Sequence, residues 1–467
     1  MVSVDRAQLQ RLLAQENERY RTANPTSLAK FEKGSHLLGQ VPMTWMKSWA
    51  GGFPLSYQRA HGNHIVDVDG HDLIDFALGD TGAMAGHSPK ATVDAVQHRI
   101  GEIGGVTTML PTDDAEWVAA ELTRRFGMAK WSFSLTATDA NRWALRLARE
   151  MTKRPKILAF SYCYHGSVDE TVVICDEHGR ARSRPGNVGP AVDPTETTRV
   201  VEFNDIDAVR AALAHGDVAA VLTEPALTNI GIVMPEPGFL EALREATRET
   251  GTLLMIDETH TLSAGPGGAT KAWGLEPDIV TIGKSLGGGI PCGAFGLSED
   301  LVPRFFAMIE GGADVVDVGG VGGTLAGNAL SSAAMRATLE HVLTDEAFER
   351  MIALADRFTA GVQTALDDSH LEWSITQLGA RAEYRFCSPA PRNGGESAAA
   401  EDHELDEFMH LFLLNRGVLL TPFHNMALMC PTTTEADVDR HSEVFAEAVT
   451  ALRGVGESSI SSARPTR

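Results

Sequence analysis

The chain has 467 residues, 43% of them apolar, and 62 acidic against 40 basic side chains give a net charge of −22. So acidic a surface repels polyanions, which argues against nucleic acid or an anionic membrane as partner. The five scattered cysteines contain no CxxC pair, which argues against a disulfide framework and a structural metal, and the start at Met1–Arg6 shows no apolar signal core.

Leu9, Leu12 and Leu13 stand at helical spacing, which predicts a helix over 4–20, broken by Asn24-Pro25-Thr26-Ser27. The stretch His64–Phe76 predicts a hairpin turning at Asp69-Gly70. From about 110 to 300 short apolar runs alternate with helical stretches. The expected strands are Lys156–Phe160, Val218–Leu222, Leu253–Ile256, Ile279–Ile282 and Ala294–Leu297. The expected helices include Gly238–Thr250, with Leu240, Leu243 and Ala246 on one face. This is the pattern of an α/β fold: a mainly parallel sheet covered on both faces, whose ligands bind beyond the carboxyl ends of the strands.

A long helix is predicted over Ala326–Thr344, then a second α+β segment with a polar loop at 389–402. The expected organisation is an N-terminal segment 1–75 joining a small domain, a large ligand-binding domain 76–334 and the rest of the small domain at 335–455. A tail, 456–467, rich in Ser, Arg and Pro, is expected to be disordered. No apolar run approaches a membrane span, so the expectation is a cytoplasmic enzyme.

Two strand ends carry the chemistry. Leu253–Ile256 delivers Asp257, and Asp278–Gly283 delivers Lys284; 284 − 257 = 27 residues is room for one crossover between neighbouring strands. An amine for a Schiff base and an acid for a pyridinium nitrogen are what pyridoxal phosphate requires of a protein. Singly, each has a plain alternative, a strand-end lysine or a helix N-cap. Ser134–Asn141 leads into an amphipathic helix and can offer amides to an anion; the alternative is an ordinary cap by Thr136 or Thr138. Tyr164 can stack on a planar ring or pack a loop, and His165 alone reads as structural. Glu224-Pro225 can meet a ligand's polar edge or make a turn. Gly322–Asn328 can bind a phosphate oxygen or simply turn the chain. No GxxxxGK[ST] occurs, and Gly287-Gly288-Gly289 lacks the spacing of a dinucleotide loop.

As an ordered set, Thr136–Ala140, Tyr164-His165-Gly166, Glu224-Pro225, Asp257-Glu258, Lys284 and Gly323-Thr324 resemble the class III aminotransferases. Asn229-Ile230-Gly231 and Thr434–Arg440 also look like the branch holding glutamate-1-semialdehyde aminomutase and its transaminase relatives. The resemblance runs from about Ile65 to Arg440 and implies PLP-dependent transferase fold type I, the aspartate aminotransferase-like fold. It implies pyridoxal 5'-phosphate held by Lys284 as a Schiff base, with Asp257 on the ring nitrogen and Tyr164 on the ring face. Thr136, Ala137 and Thr138 would bind the phosphate, and His165, Thr259 and Glu224 would complete the cofactor contacts. Thr324 would bind the phosphate of a neighbouring subunit, which implies a homodimer with shared active sites.

The chain departs from the aminomutase in places. Thr81 stands near the aminomutase's tryptophan, Met426 near its glutamate, and Met43–Met46 offers no match for its N-terminal arginine. The expectation is therefore ping-pong transamination from an amine or amino acid donor to a keto acid, aldehyde or ketone, with a preference for bulky or hydrophobic amines. Thr81, His424, Trp45 and Phe423, with Trp49 and Phe53, are candidates for the substrate side; the alternative for the aromatics is core packing. Arg381 is a candidate carboxylate anchor, or a surface partner of Glu383. Alternatives to transamination between molecules are an intramolecular aminomutase or racemase and a β-amino acid transaminase. His260 has no assigned role.

Overall fold

Apolar runs that alternate with amphipathic helices bury both faces of a central sheet. The computed structural model describes residues 4–315 and 318–453, so the tail at 456–467 lies outside the described residues. In chain order the strands are β1 (Tyr57–His61), β2 (His64–Asp67), β3 (Asp72–Asp75), β4 (Lys130–Ser134), β5 (Lys156–Phe160), β6 (Val173–Cys175), β7 (Ala181–Ser183) and β8 (Thr198–Val201). They continue as β9 (Val218–Thr223), β10 (Leu253–Asp257), β11 (Ile279–Ile282), β12 (Gly293–Leu297), β13 (Ser374–Leu378), β14 (Arg381–Arg385), β15 (Val418–Leu419) and β16 (Met426–Leu428).

The central sheet has seven strands in the order β4-β12-β11-β10-β9-β5-β8. Five neighbours, β11 to β8, are parallel, and β12 alone runs against both its neighbours. All five expected strands are present. The two ends of the sheet, β4 and β8, lie in mixed sequences such as Lys130-Trp131-Ser132-Phe133-Ser134, whose periodicity is weak. The helix Ala137–Thr152 packs Trp143, Leu147 and Ala148 against Ile157, Ala220 and Met255 on one face. Phe239–Thr250 and Ile206–Leu213 cover the other with Leu243, Ala246, Val209 and Leu213.

Register places the functional rim. Ile256 pairs Thr223 and Asp257 pairs Thr281, so β9, β10 and β11 end nearly level. Glu224, Asp257 and Lys284 therefore leave one edge of the sheet.

The predicted hairpin is β2 and β3, joined across Asp69-Gly70, and it gains β1 on one side and the distant β15 on the other. The N-terminal helix, Arg6–Ala23, meets the C-terminal part of the chain through Glu16, which ion-pairs Arg416 at 3.0 Å. The long helix predicted over Ala326–Thr344 starts only at Ala329, because Asn328 caps it by accepting from Ser331 N–H at 2.9 Å. The polar stretch 389–402 contains a short helix, Gly394–Ala399, capped by Asn393. Arg381 and Glu383 do not form a surface pair: both lie on β14 and are 1% exposed. Among the described residues, no helix is long and apolar enough to cross a membrane.

Candidate active site

The first wall of the site is a helix start. Thr136 caps Ala137–Thr152 by accepting from Asp139 N–H at 3.1 Å, which leaves the amides of Ala137 and Thr138 without intrahelical acceptors. Two glycines let the backbone close around them. A Cβ on Gly283 would lie 2.8 Å from Ala137 N, and one on Gly166, where φ is +78°, would lie 2.0 Å from Thr138 Oγ1. The result is a small, electropositive cradle for an anion.

The second wall is a buried carboxylate. Asp257 Oδ2 accepts from Asn141 Nδ2 at 2.8 Å and from His165 Nδ1 at 2.9 Å, and Oδ1 accepts from Thr259 N–H at 3.0 Å. Burial alone would raise the Asp257 pKa, but the hydrogen bond and charge of His165, with help from Asn141, bring it down to about 2. Burial likewise disfavours charge on His165, yet Cys163 and Asp257 beside it outweigh burial and hold its pKa well above the ordinary imidazole value. An ionised carboxylate in this position can hold a cationic ring nitrogen.

The third wall is the amine. Lys284 has φ +51°, an uncommon conformation for a side-chain-bearing residue, and Asp80 and Thr81 opposite it have φ of +49° and +80°. Such strained backbones, costing about 1 kcal/mol or more each, gather at functional sites. Lys284 Nζ lies 2.8 Å from Asp80 Oδ2 and 2.7 Å from His260 Nε2. On its far side His260 Nδ1 meets Thr81 Oγ1 at 3.0 Å and Arg381 Nη1 at 3.1 Å, and Arg381 Nη2 donates to Thr81 Oγ1. Burial and then the Lys284 charge push the His260 pKa well below its ordinary value. Burial would raise the Asp80 pKa, but the charges of Lys284, His260 and His424 hold it well below the usual carboxylate range.

A cavity of about 360 Å³ brings together Thr136, Ala137, Thr138, Tyr164, Glu224, Asp257, Thr259, His260 and Lys284. A larger cleft of about 970 Å³ runs along Arg142–Arg154 and holds none of these nine. Tyr164 is half exposed above the cavity, whereas His165 is buried behind Asp257. Thr81 and Arg381 stand one layer back, behind His260. Trp45 and Phe423 form an edge-to-face pair 5.8 Å apart outside the cavity lining, and His424 lies against Phe423 and 3.5 Å from Glu383. Phe53 packs on Tyr20 in a buried cluster that Trp49 joins, so these two are core aromatics. Thr324 is exposed on a separate cleft with Asp139, Arg142 and Arg146. Asp80, Asn141 and His260 are site residues without an individual role in the sequence reading. The visible signal was the polar run Asp257–Thr261 directly after a wholly apolar strand.

Burial pushes the Glu224 carboxyl up to about 7, against opposing hydrogen bonds from Thr228. A folded pKa above the unfolded one means that folding favours the protonated form, so stability falls as pH rises from about 4.5 through 7. Glu224→Gln should remove that slope and stabilise the cofactor-free protein by on the order of 1–3 kcal/mol at pH 8. Thermal melts of both proteins at pH 5 and pH 8 check this; equal melting differences at the two pH values would count against it.

A helix-start anion cradle, an ionised buried carboxylate and an amine around one cavity fit pyridoxal phosphate. Residues 45–449 match the family Aminotransferase class-III. The chain is 47% identical to a glutamate-1-semialdehyde aminomutase of Pseudomonas aeruginosa PAO1, covering 97% of this chain and all of that one at a TM-score of 0.93. It is 33% identical to the glutamate-1-semialdehyde 2,1-aminomutase of Chloroflexus aggregans, over 86% of this chain and 92% of the relative. A β-phenylalanine aminotransferase of Variovorax paradoxus is 29% identical, with 94% and 97% of the two chains covered and a TM-score of 0.81. The chain belongs to the class III aminotransferases, enzymes of PLP-dependent fold type I, and pyridoxal phosphate is its cofactor.

Proposed function

We propose that the chain is an enzyme of the aminomutase type, moving an amino group within one substrate molecule. The observation that carries this reading is the gradient of similarity, 47% to an aminomutase against 29% to an aminotransferase over comparable lengths. It revises the expectation of transfer between two molecules drawn from Thr81, Met426 and Met43–Met46. That expectation stays as the second reading, supported by the apolar Trp45–Phe423 pair and by the engagement of both Arg381 Nη atoms with His260 and Thr81.

In either reading the bound cofactor supplies an electron sink that weakens the bond to a proton on the substrate carbon. The Lys284 amine is the attachment point and, when free, takes up and returns that proton at Nζ. Asp257 holds the ring nitrogen's proton, and Asn141 and His165 orient Asp257. Thr136, Ala137 and Thr138 bind the phosphate, while Tyr164 and the Thr259 methyl cover the ring faces. Protonated Glu224 donates to the ring's polar edge. Thr324 is exposed on a cleft it shares with Leu135 and Asp139 and, as the family resemblance implies, serves the site of a second copy, so the working unit is a homodimer; its setting is the cytoplasm.

A single-turnover assay separates the readings. Cofactor-loaded protein is mixed with an amine-bearing substrate and no acceptor, and products are resolved by mass and chirality. The proposal expects a rearranged product of unchanged mass with no keto compound released. One equivalent of keto compound per site selects transamination instead.

A further inference from the structure

Hydrogen-bond donors around His260 fix more than its position. An arginine guanidinium has only donors and keeps its proton in any protein, so Arg381 Nη1, 3.1 Å from His260 Nδ1, must donate to it. Because Nδ1 accepts there, its 3.0 Å contact with Thr81 Oγ1 is the threonine O–H donating to it, while Thr81 Oγ1 accepts from Arg381 Nη2. With two donors aimed at it, Nδ1 carries a lone pair. A neutral imidazole then has its one proton on Nε2, and Nε2 lies 2.7 Å from Lys284 Nζ. Asp80, on the other side of Nζ at 2.8 Å, is an acceptor.

Resting on the pyridoxal phosphate chemistry proposed above, we propose that His260 is the positioning residue for Lys284: Arg381 and Thr81 lock its tautomer so that Nε2–H donates to the Lys284 nitrogen and holds that nitrogen as an acceptor. The two neighbours of Nζ then act in opposite senses. His260 favours the uncharged amine, whose lone pair receives its N–H. Asp80 favours the charged one. When Nζ takes a third proton it loses its acceptor lone pair, the contact with Nε2–H turns repulsive, and the loaded amine is released from His260 to return its proton. The neutral state of His260 is consistent with its burial and with the Arg381 charge beside it.

The charged and titratable groups facing this pair come from several elements. Asp80 and Thr81 follow β3, Asp257 ends β10, Arg381 opens β14, and His424 acts on Asp80 from the β15–β16 connection. None of them can replace the N–H that His260 presents to Nζ. Asp80, Asp257 and Thr81 face elsewhere or only accept there, and Arg381 is 1% exposed and spent on Thr81 and Nδ1.

The test uses the cofactor-loaded protein and its visible absorption band, which reports protonation of the Lys284 nitrogen. The band is titrated against pH in wild type, His260→Met, His260→Gln and His260→Asn. A glutamine amide reaches the Nε2 position and can donate from it; methionine has no donor, and asparagine is too short. Loss of an N–H donor should move the titration midpoint upward by about 1 pH unit in the Met and Asn variants, while Gln stays within about 0.5 unit of wild type. Over the same series kcat should fall roughly 10-fold for Met and Asn with KM within about two-fold. If Met fails to fold, the Gln–Asn pair carries the comparison. A midpoint that Asn or Met leaves in place, or that Gln displaces as far as they do, overturns the proposal. A wild-type protein with no visible band after addition of pyridoxal phosphate overturns the cofactor chemistry itself, and this inference with it.

Discussion

Lys284→Ala should lower turnover by at least about 10³-fold while leaving a folded protein. Among the described residues lining the cavity, Lys284 is the only amine, so none of the others can take over. Arg381 has no lone pair to offer, and His260 is tied by Thr81 and Arg381 on its far nitrogen. The fold should survive because the Lys284 side chain is 29% exposed and serves no hydrophobic cluster. Alanine and lysine both carry a Cβ, so the cost of φ +51° is the same in both. What the variant does lose is the ion pair with Asp80. That pair is partly solvated on both sides, and its removal should cost on the order of 1 kcal/mol. Turnover, the visible band and a thermal melt are measured together. Added methylamine should restore part of the activity, because the missing group is a small amine. Retention of more than about a hundredth of wild-type turnover would remove Lys284 from the role given to it.

That residue was legible from sequence for a physical reason. Asp257 ends an unbroken apolar run and Lys284 follows one interrupted only by Thr281, and short runs of this kind between helical stretches suit central strands of a covered sheet. Their spacing then made β10 and β11 neighbours, as the pairing of Asp257 with Thr281 has it. The Thr136 cap was legible because capping is local. Arg381 was not: its neighbours on β14 alternate polar and apolar, which suggests an exposed strand, yet all five residues of β14 are buried. Burial of so polar a strand depends on what lies opposite, here Thr81 and His260, respectively 300 and 121 positions away in the chain. Asp80 was hidden for the same reason. Its partner Lys284 is 204 positions away, and no local pattern marks a carboxylate that will meet a lysine across the fold. The reversed direction of β12 was equally silent, since apolar runs carry no sign of strand polarity.

Asp257→Asn should be the second most damaging change, and its effect on stability should depend on pH. Asparagine keeps the shape but not the charge, and at least one of its amide hydrogens must point at a donor, because Asn141 Nδ2, His165 Nδ1 and Thr259 N all donate to this position. With the folded Asp257 pKa lowered from 3.8 to about 2, the carboxylate contributes stability that is complete above the unfolded value and lost as pH falls through the folded one. The difference in unfolding free energy between wild type and Asp257→Asn should therefore be about 2 kcal/mol near pH 6 and should shrink between pH 4 and pH 2. His165 works in the opposite direction: its raised pKa contributes stability that is present below pH 6.5 and lost as pH rises through the folded value. Glu224, pushed up to about 7 in the same cavity, gives the reverse slope to Asp257, so the two carboxylates are separated by their surroundings into an ion and an acid. Turnover in Asp257→Asn should fall roughly 10²–10³-fold, since a neutral amide cannot hold the ring nitrogen's proton through charge. Denaturant unfolding at pH 6, 4 and 2.5, run beside turnover at pH 7, gives both readouts. A stability difference that stays constant from pH 6 to 2.5 would mean that Asp257 is not ionised in the folded protein.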